Sequence, residues 1–199
     1  MFLVFLFKCI FAFKQQQLMS QKLLLNAQEL DIILHRLACQ LIENHNRFEN
    51  TALIGLQPRG RFLLNRLSVM LQEHYGIKEL NTGLLDITFY RDDFRRGEEP
   101  LKANSTDIQF LVEGKKVVIV DDVLYTGRSI RAALTALQSF GRPASIELLT
   151  LIDRRFSRHL PIQPDYNGRQ VDAIGDQKVK VMWTENAGED AVYLLKNEN

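Results

Sequence analysis

The chain has 199 residues, 46% of them hydrophobic and 25% charged, enough to bury an ordinary core within one main domain. A formal net charge of +1 provides no global field toward nucleic acid or membrane, so any RNA-binding surface has to be a local patch. Its two cysteines, Cys9 and Cys39, lack metal-type spacing, which argues for a reducing, cytoplasmic setting and against a disulfide framework.

"MFLVFLFKCIFAF" is almost wholly apolar through Phe13, broken by Lys8 and Cys9. It has no basic leader and no small-residue cleavage site, and it falls short of the ~18 apolar residues that span a bilayer. It reads as an extension, residues 1–18, ahead of a domain covering 19–199 with Met19 as its start; a short membrane anchor is the alternative. "NAQELDIILHRLACQLIENHNRF" (26–48) repeats apolar residues at helical spacing, with Asn26 as its cap. "TALIGL" (51–56) is a short buried strand, followed by "QPRG" and a second helix from about Arg61 to Tyr75, ended near Gly76. "TGLLDITFY" (82–90) reads as a strand, and the charged "RDDFRRGEEPLKANSTD" after it as a loop or hairpin.

"KKVVIV" (115–120) is a fully apolar strand, and "SIRAALTALQSF" (129–140) a helix with Gly141 beyond it. "ASIELLTLI" (144–152) is another strand, "DRRFSRHLPIQPDYNGRQVD" is irregular and basic, and "QKVKVMW" is a late strand. Buried strands alternating with helices predict an α/β fold, a parallel β-sheet flanked by helices on both faces. Ligands in such sheets sit beyond the carboxyl ends of the strands. Three polar turns fall there, after Leu56, Val120 and Ile152.

The middle turn is the informative one. In "VVIVDDVLYTGRS" an apolar strand runs into two adjacent acids and then a Thr-Gly-Arg-Ser turn that opens a helix. Asp121 and Asp122 point to opposite faces of a strand. They can accept hydrogen bonds from separate hydroxyls or face a divalent cation, directly or through water. The helix start offers free N–H groups, a glycine for close approach, and the hydroxyls of Thr126 and Ser129, which together make a phosphate cradle. Vicinal hydroxyls beside a phosphate describe a ribose 5-phosphate. Acids that merely end a strand and an ordinary Thr-Gly turn are the bland reading, and the full order of elements speaks against it.

"VVIVDDVLYTGRS" resembles the phosphoribosyl-pyrophosphate (PRPP) motif of type I phosphoribosyltransferases. "GLQPRG", "LDITFYRDD", "GRPASIEL" and "DRRFSRHLPIQPDYNG" resemble, in the same order, segments of the PyrR branch, uracil phosphoribosyltransferases that also regulate pyrimidine operons. The resemblance runs from about residue 23 to the C-terminus. It implies the type I fold, with a small hood over the C-terminal strand ends, and conversion of uracil and PRPP to UMP and pyrophosphate with Mg²⁺. On this resemblance PRPP is bound by the strand Val117, Val118, Ile119 and Val120 and by the acids Asp121 and Asp122. The loop Val123, Leu124 and Tyr125 and the cradle Thr126, Gly127, Arg128 and Ser129 complete that motif. Pro58, Arg59 and Gly60 form the pyrophosphate loop, with proline where the family often has threonine, a place that favours a cis peptide. Asp121 and Asp122 hold the ribose hydroxyls and the Mg²⁺. Arg91, with Arg95, Arg96 and Gly97 further along, belongs to a loop that closes over PRPP, and Arg91 joins the acids as a catalytic residue.

Asp153 and Arg154 match the family's Asp-Arg pair and shape the hood over the base. "DRRFSRHLP" departs there from the family pattern, being one residue longer and without its glycine. His159, in that basic loop, reads as a surface residue. A second reading from a different class is an RNA-binding regulator with little catalysis, using Arg36, Arg155, Arg158 and Arg169 on pyrimidine-operon mRNA. A third keeps the PRPP site and changes the acceptor to another base. The resemblance also implies a homo-oligomer, a dimer or larger, and no membrane partner.

Overall fold

The computed structural model describes residues 21–92, 104–175 and 177–196. The extension 1–18 and the loop residues Arg95, Arg96 and Gly97 lie outside them. In chain order the elements are β1 (Gln21–Leu25), α1 (Ala27–His45), β2 (Thr51–Leu56), α2 (Gly60–Glu73), β3 (Asn81–Leu85), β4 (Lys116–Leu124), α3 (Arg128–Leu137), β5 (Ser145–Arg155), β6 (Tyr166–Asp172), β7 (Lys178–Met182), α4 (Thr184–Ala187) and β8 (Ala191–Leu195). Among the described residues no helix is long and apolar enough to cross a membrane. Two compact units divide the chain, a larger one over Asp31–Asp172 and a smaller one made of the segments on either side.

The larger unit is a five-stranded sheet in the order β3-β2-β4-β5-β6, with every pair parallel. Its middle strands are apolar on both sides, as a doubly covered sheet requires: all six residues of β2 and Val117–Val120 of β4 are buried. Gly55 of β2 faces Leu64 of α2, and Gly168 of β6 faces Ile33 of α1, so both helices lie on one face. On the other face Ile130, Ala133, Ala136 and Leu137 of α3 pack against Ile54, Val117, Ile119 and Leu148. In the smaller unit β1, β8 and β7 form an antiparallel sheet in that order. The expected cap on α1 is present as a reciprocal pair: Asn26 N–H donates to Glu29 Oε2 and Glu29 N–H to Asn26 Oδ1, each at 2.9 Å.

The structure corrects several element boundaries. The strand expected over 82–90 stops at Leu85, because the buried Asp86 carboxylate accepts from Thr88 N–H at 3.0 Å and from Thr88 Oγ1 at 2.6 Å. Those bonds turn the chain into a 3-10 turn at Thr88–Tyr90. β4 runs past Val120 through both acids to Leu124, and β5 runs past Ile152 to Arg155. Most consequentially, the supposedly irregular stretch contains β6. "YNGRQVD" buries only Tyr166 and Val171, so its membership of the sheet rests on backbone pairing with β5 and leaves no apolar period to read. β1 and β8 were likewise not anticipated.

At the amino end of the sheet, the loop after α1 is tied down by a buried polar network. His45 Nδ1 meets Thr51 Oγ1 at 3.1 Å, and its Nε2 lies 3.1 Å from both Glu147 Oε2 and Tyr166 Oη. Tyr166 Oη donates to Glu147 at 2.6 Å and accepts from Asn44. Burial lowers the His45 pKa and outweighs the opposing pull of Glu147; Lys116 adds to the lowering. A histidine lowered in the folded state contributes stability that is whole above its unfolded value of about 6.5 and is lost as pH falls through the folded value. Urea midpoints should therefore drop between pH 7.5 and 5.5, and the drop should be smaller in His45→Gln.

Candidate active site

β4 delivers the two acids at the carboxyl end of the sheet. Asp121 pairs laterally with Thr150 of β5 and lines a cavity of about 260 Å³, whereas Asp122 turns to the other face and is only 5% exposed. Asp122 N–H donates to Asp121 Oδ1 at 3.0 Å. Burial first, then the neighbouring Asp122 carboxylate, pushes Asp121 well above the usual carboxylate range, against the pull of the Asp122 N–H, Arg59 and Arg91. Asp122 is also raised by burial, opposed chiefly by Arg59. Two carboxylates kept in this state favour any partner that brings positive charge or hydroxyl donors.

The same cavity is bounded by Thr126, Gly127, Arg128 and Ser129 and, from the segment after β3, by Arg91 and Asp92. Gly127 is the N-cap of α3, with φ of 87° and no side chain of its own to cap the helix, while the Arg128 N–H donates to Thr126 Oγ1 at 3.4 Å. A β-carbon there would meet Ile162 at 3.2 Å, so both conformation and space call for glycine. Val123, Leu124 and Tyr125 complete the wall between acids and cradle. Val117, Val118, Ile119 and Val120 do not reach the cavity; they are fully buried strand that carries the acids.

The expected pyrophosphate loop lies beside the acids. The Gln57–Pro58 peptide is cis, as the proline suggested, and Pro58 and Arg59 are exposed. Gly60 presses on the tip of β4: a β-carbon on it would fall 2.3 Å from the Val120 carbonyl oxygen and 3.2 Å from Asp121 Cα. Sequence reasoning missed Asp86, which also binds Asn104 N–H at 2.9 Å, while its own N–H donates to Thr106 Oγ1. It thereby joins the two ends of the segment that carries Arg91. A buried acid inside the apolar run "LLDIT" was the available signal.

Asp153 and Arg154, expected to shape the hood over the base, stand at the carboxyl end of β5. Asp153 accepts from Arg158 Nη2, and the Arg154 guanidinium lies 3.9 Å from the centre of the Tyr125 ring. Neither Asp153 nor Arg154 lines the 260 Å³ cavity. Of the arginines offered to RNA, Arg36 donates to the Asn167 and Gly168 carbonyls and Arg155 makes a two-bond pair with Asp172 at 2.6 and 2.7 Å. Arg158 is held by Asp153 and the Tyr125 carbonyl, and Arg169 sits exposed on β6 opposite Ile152. His159 is exposed, as expected, but its backbone N–H donates to the Thr126 carbonyl at 3.0 Å.

With this geometry in view, comparison with known proteins is decisive. The phosphoribosyl transferase domain model matches residues 20–182. The chain belongs to the phosphoribosyl transferase family. Within it the chain falls in the PyrR branch. It is 45% identical over 171 residues to the bifunctional protein PyrR of Desulfosudis oleivorans, covering 85% of this chain and 93% of that one. It is 40% identical to the bifunctional protein PyrR of Elusimicrobium minutum, covering 90% and 99%. A solved hypoxanthine phosphoribosyltransferase from Staphylococcus aureus superposes with a TM-score of 0.64 at 22% identity, covering 88% of this chain and 92% of that one. The enzyme of that name from Trypanosoma cruzi gives a TM-score of 0.66 at 17% identity, covering 89% and 97%. At those identities the likeness speaks to the fold alone.

Two outcomes follow from the geometry of this phosphoribosyl transferase site. Gly60→Ala should destabilise the protein by about 1–3 kcal/mol in urea titrations, because the obstacle is backbone and cannot rotate away. The acid pair carries the opposite pH sign to His45. A carboxyl raised in the folded state contributes stability that is present below its unfolded value, about 3.9, and is lost as pH rises through the folded value. Asp121→Asn should accordingly raise the urea midpoint at pH 8, with the gain shrinking toward pH 4.

Proposed function

We propose that this protein transfers the phosphoribosyl group of PRPP to uracil, releasing UMP and pyrophosphate. The observation that carries the reading is one cavity with Asp121, of the adjacent acid pair, at one end and a helix N-terminus opened by a left-handed glycine at the other. A helix start presents N–H donors and a partial positive charge to an anion, here the 5-phosphate. Asp121 and Asp122 accept hydrogen bonds from the ribose hydroxyls. As the bond from C1 to pyrophosphate breaks, positive charge grows on the sugar, and the same two carboxylates stabilise it. Arg59 and the Gly60 backbone meet the leaving pyrophosphate, and Arg91, on the cavity wall, adds a second cation. The cavity holds sugar and leaving group in one orientation, which removes much of the entropic part of the barrier.

The donor set fits Mg²⁺. Two adjacent carboxylates supply hard oxygen ligands, and among the described residues no group of three or more acids, histidines or cysteines is placed to build a complete cage. Such a site suits a small cation that keeps waters and takes substrate oxygens as its other ligands. Asp121 and Asp122 would hold it, and its charge would offset that of the departing pyrophosphate.

Asp153 and Arg154 act on base recognition through the loop they hold rather than as cavity walls, which leaves uracil itself to be read by other groups. The second activity of the PyrR relatives, on the resemblance, is RNA-dependent regulation of pyrimidine genes. Exposed Phe156, with Arg155 over its ring at 5.4 Å, offers a platform for a splayed base. Phosphate contacts by Arg36, Arg155 or Arg158 would have to compete with their partners inside the chain. A homo-oligomer and a cytoplasmic location, the latter in keeping with the exposed free thiol of Cys39, belong to the same proposal.

The test is product formation from PRPP and Mg²⁺ with uracil, hypoxanthine or orotate as acceptor. UMP should form from uracil in preference to the other products. Chelation of the metal should stop it, and Asp121→Asn with Asp122→Asn should lower kcat/KM by at least about 100-fold. Transfer to hypoxanthine instead would overturn the uracil assignment and leave the PRPP site standing.

A further inference from the structure

The phosphate cradle is held in shape from behind. Two consecutive carbonyls of the turn are occupied on that side: Tyr125 C=O accepts from Arg158 Nη1, and Thr126 C=O accepts from His159 N–H at 3.0 Å. Leu160 and Ile162 of the same segment lie 3.2–3.5 Å from where a Gly127 β-carbon would stand. Arg158 is itself anchored by Asp153 at the end of β5, and Arg154 covers the Tyr125 ring. None of residues 153–162 lines the 260 Å³ cavity, whereas Tyr125, Thr126 and Gly127 all do. The loop therefore lies between the cavity and the segment that grips it.

A trans peptide is planar, and its C=O and the following N–H point in opposite directions. Gln57–Pro58 is the cis bond among the described residues, so the Tyr125–Thr126 and Thr126–Gly127 peptides are trans. Drawing both carbonyls toward 158–159 turns the N–H groups of Thr126 and Gly127 the other way, toward the cavity. A carbonyl oxygen in that place would repel an anion. The grip thus decides whether the turn shows phosphate its donors or its acceptors.

We infer that Arg158 is a positioning residue for the 5-phosphate cradle: by holding the Tyr125 carbonyl against the Asp153 anchor it aims the Thr126 and Gly127 N–H groups at the anion. This rests on the proposed PRPP site, and it gives the segment after β5 a part in phosphate affinity. The effect is on the phosphate and not on the base or the ribose, which separates it from a general loss of structure.

The experiment measures dissociation constants of UMP and uridine, which differ by the phosphate, for the wild type, Arg158→Gln, Arg158→Lys and Asp153→Asn. The wild type should bind UMP at least about 10-fold more tightly than uridine, the size of one charge-assisted hydrogen bond or more. Arg158→Gln should lose most of that advantage with uridine affinity unchanged, and Arg158→Lys, which keeps a cationic donor, should regain part of it. An unchanged UMP-to-uridine ratio in folded Arg158→Gln overturns the inference, as does an equal fall in both affinities. Should that variant not fold, Asp153→Asn decides: releasing the anchor should lower the ratio, and an unchanged ratio overturns the inference. A wild type with no preference for UMP sinks the proposed site, and the inference with it, before any variant is made.

Discussion

Two consecutive acids in the carboxyl half of β4, Asp121 on the cavity and Asp122 buried on the opposite face, are the constraint around which the site is arranged. Taken alone they oppose folding, since burial and mutual repulsion both penalise their charge. The sheet places them there because β4 is its central strand, with four consecutive fully buried apolar residues before the acids. Everything else nearby answers them. Arg59 arrives from the loop before α2, which Gly60 lets approach to contact distance of the Val120 carbonyl, and Arg91 arrives from the segment after β3. A site of this kind trades stability for affinity toward a ligand whose hydroxyls arrive together with a cation.

The part of this legible in the sequence was the part where chemistry and periodicity coincide. The run from Val117 to Ser129 combines a doubly buried strand, an acid pair and a helix start, and each signal survives without knowledge of tertiary structure. The cap on α1 was readable for the same reason, since Asn26 and Glu29 act within one turn. What stayed hidden depended on partners distant in the chain. β6 has no apolar alternation and is a strand only by virtue of β5. Asp86 looked like one more strand residue because its role is set by Thr88 and by Asn104, 18 residues further along the chain. The roles of Asp153 and Arg158 were unreadable because their partners, each other and Tyr125, meet only in the folded loop.

The relation between the two loops matters for how the family's pattern can vary. "DRRFSRHLP" is one residue longer than the pattern it resembles, yet Arg158 and the residues after it still close on Tyr125, Thr126 and Gly127. Within it Phe156 stands at φ of 64°, a left-handed conformation uncommon for a bulky residue, with its ring exposed. A loop that must hold a fixed partner at one end can vary only where it faces outward.

Arg36 carries a consequence of a different kind. β6 is the last strand of the parallel sheet, and a terminal strand offers backbone groups to any other chain in extended form. The Arg36 guanidinium binds the carbonyls of both Asn167 and Gly168 on that strand. One charged side chain, reaching across from α1, therefore engages two consecutive main-chain acceptors of β6. Its place on the helix pins α1 to the last strand of the sheet through main-chain atoms, whatever side chains that strand carries.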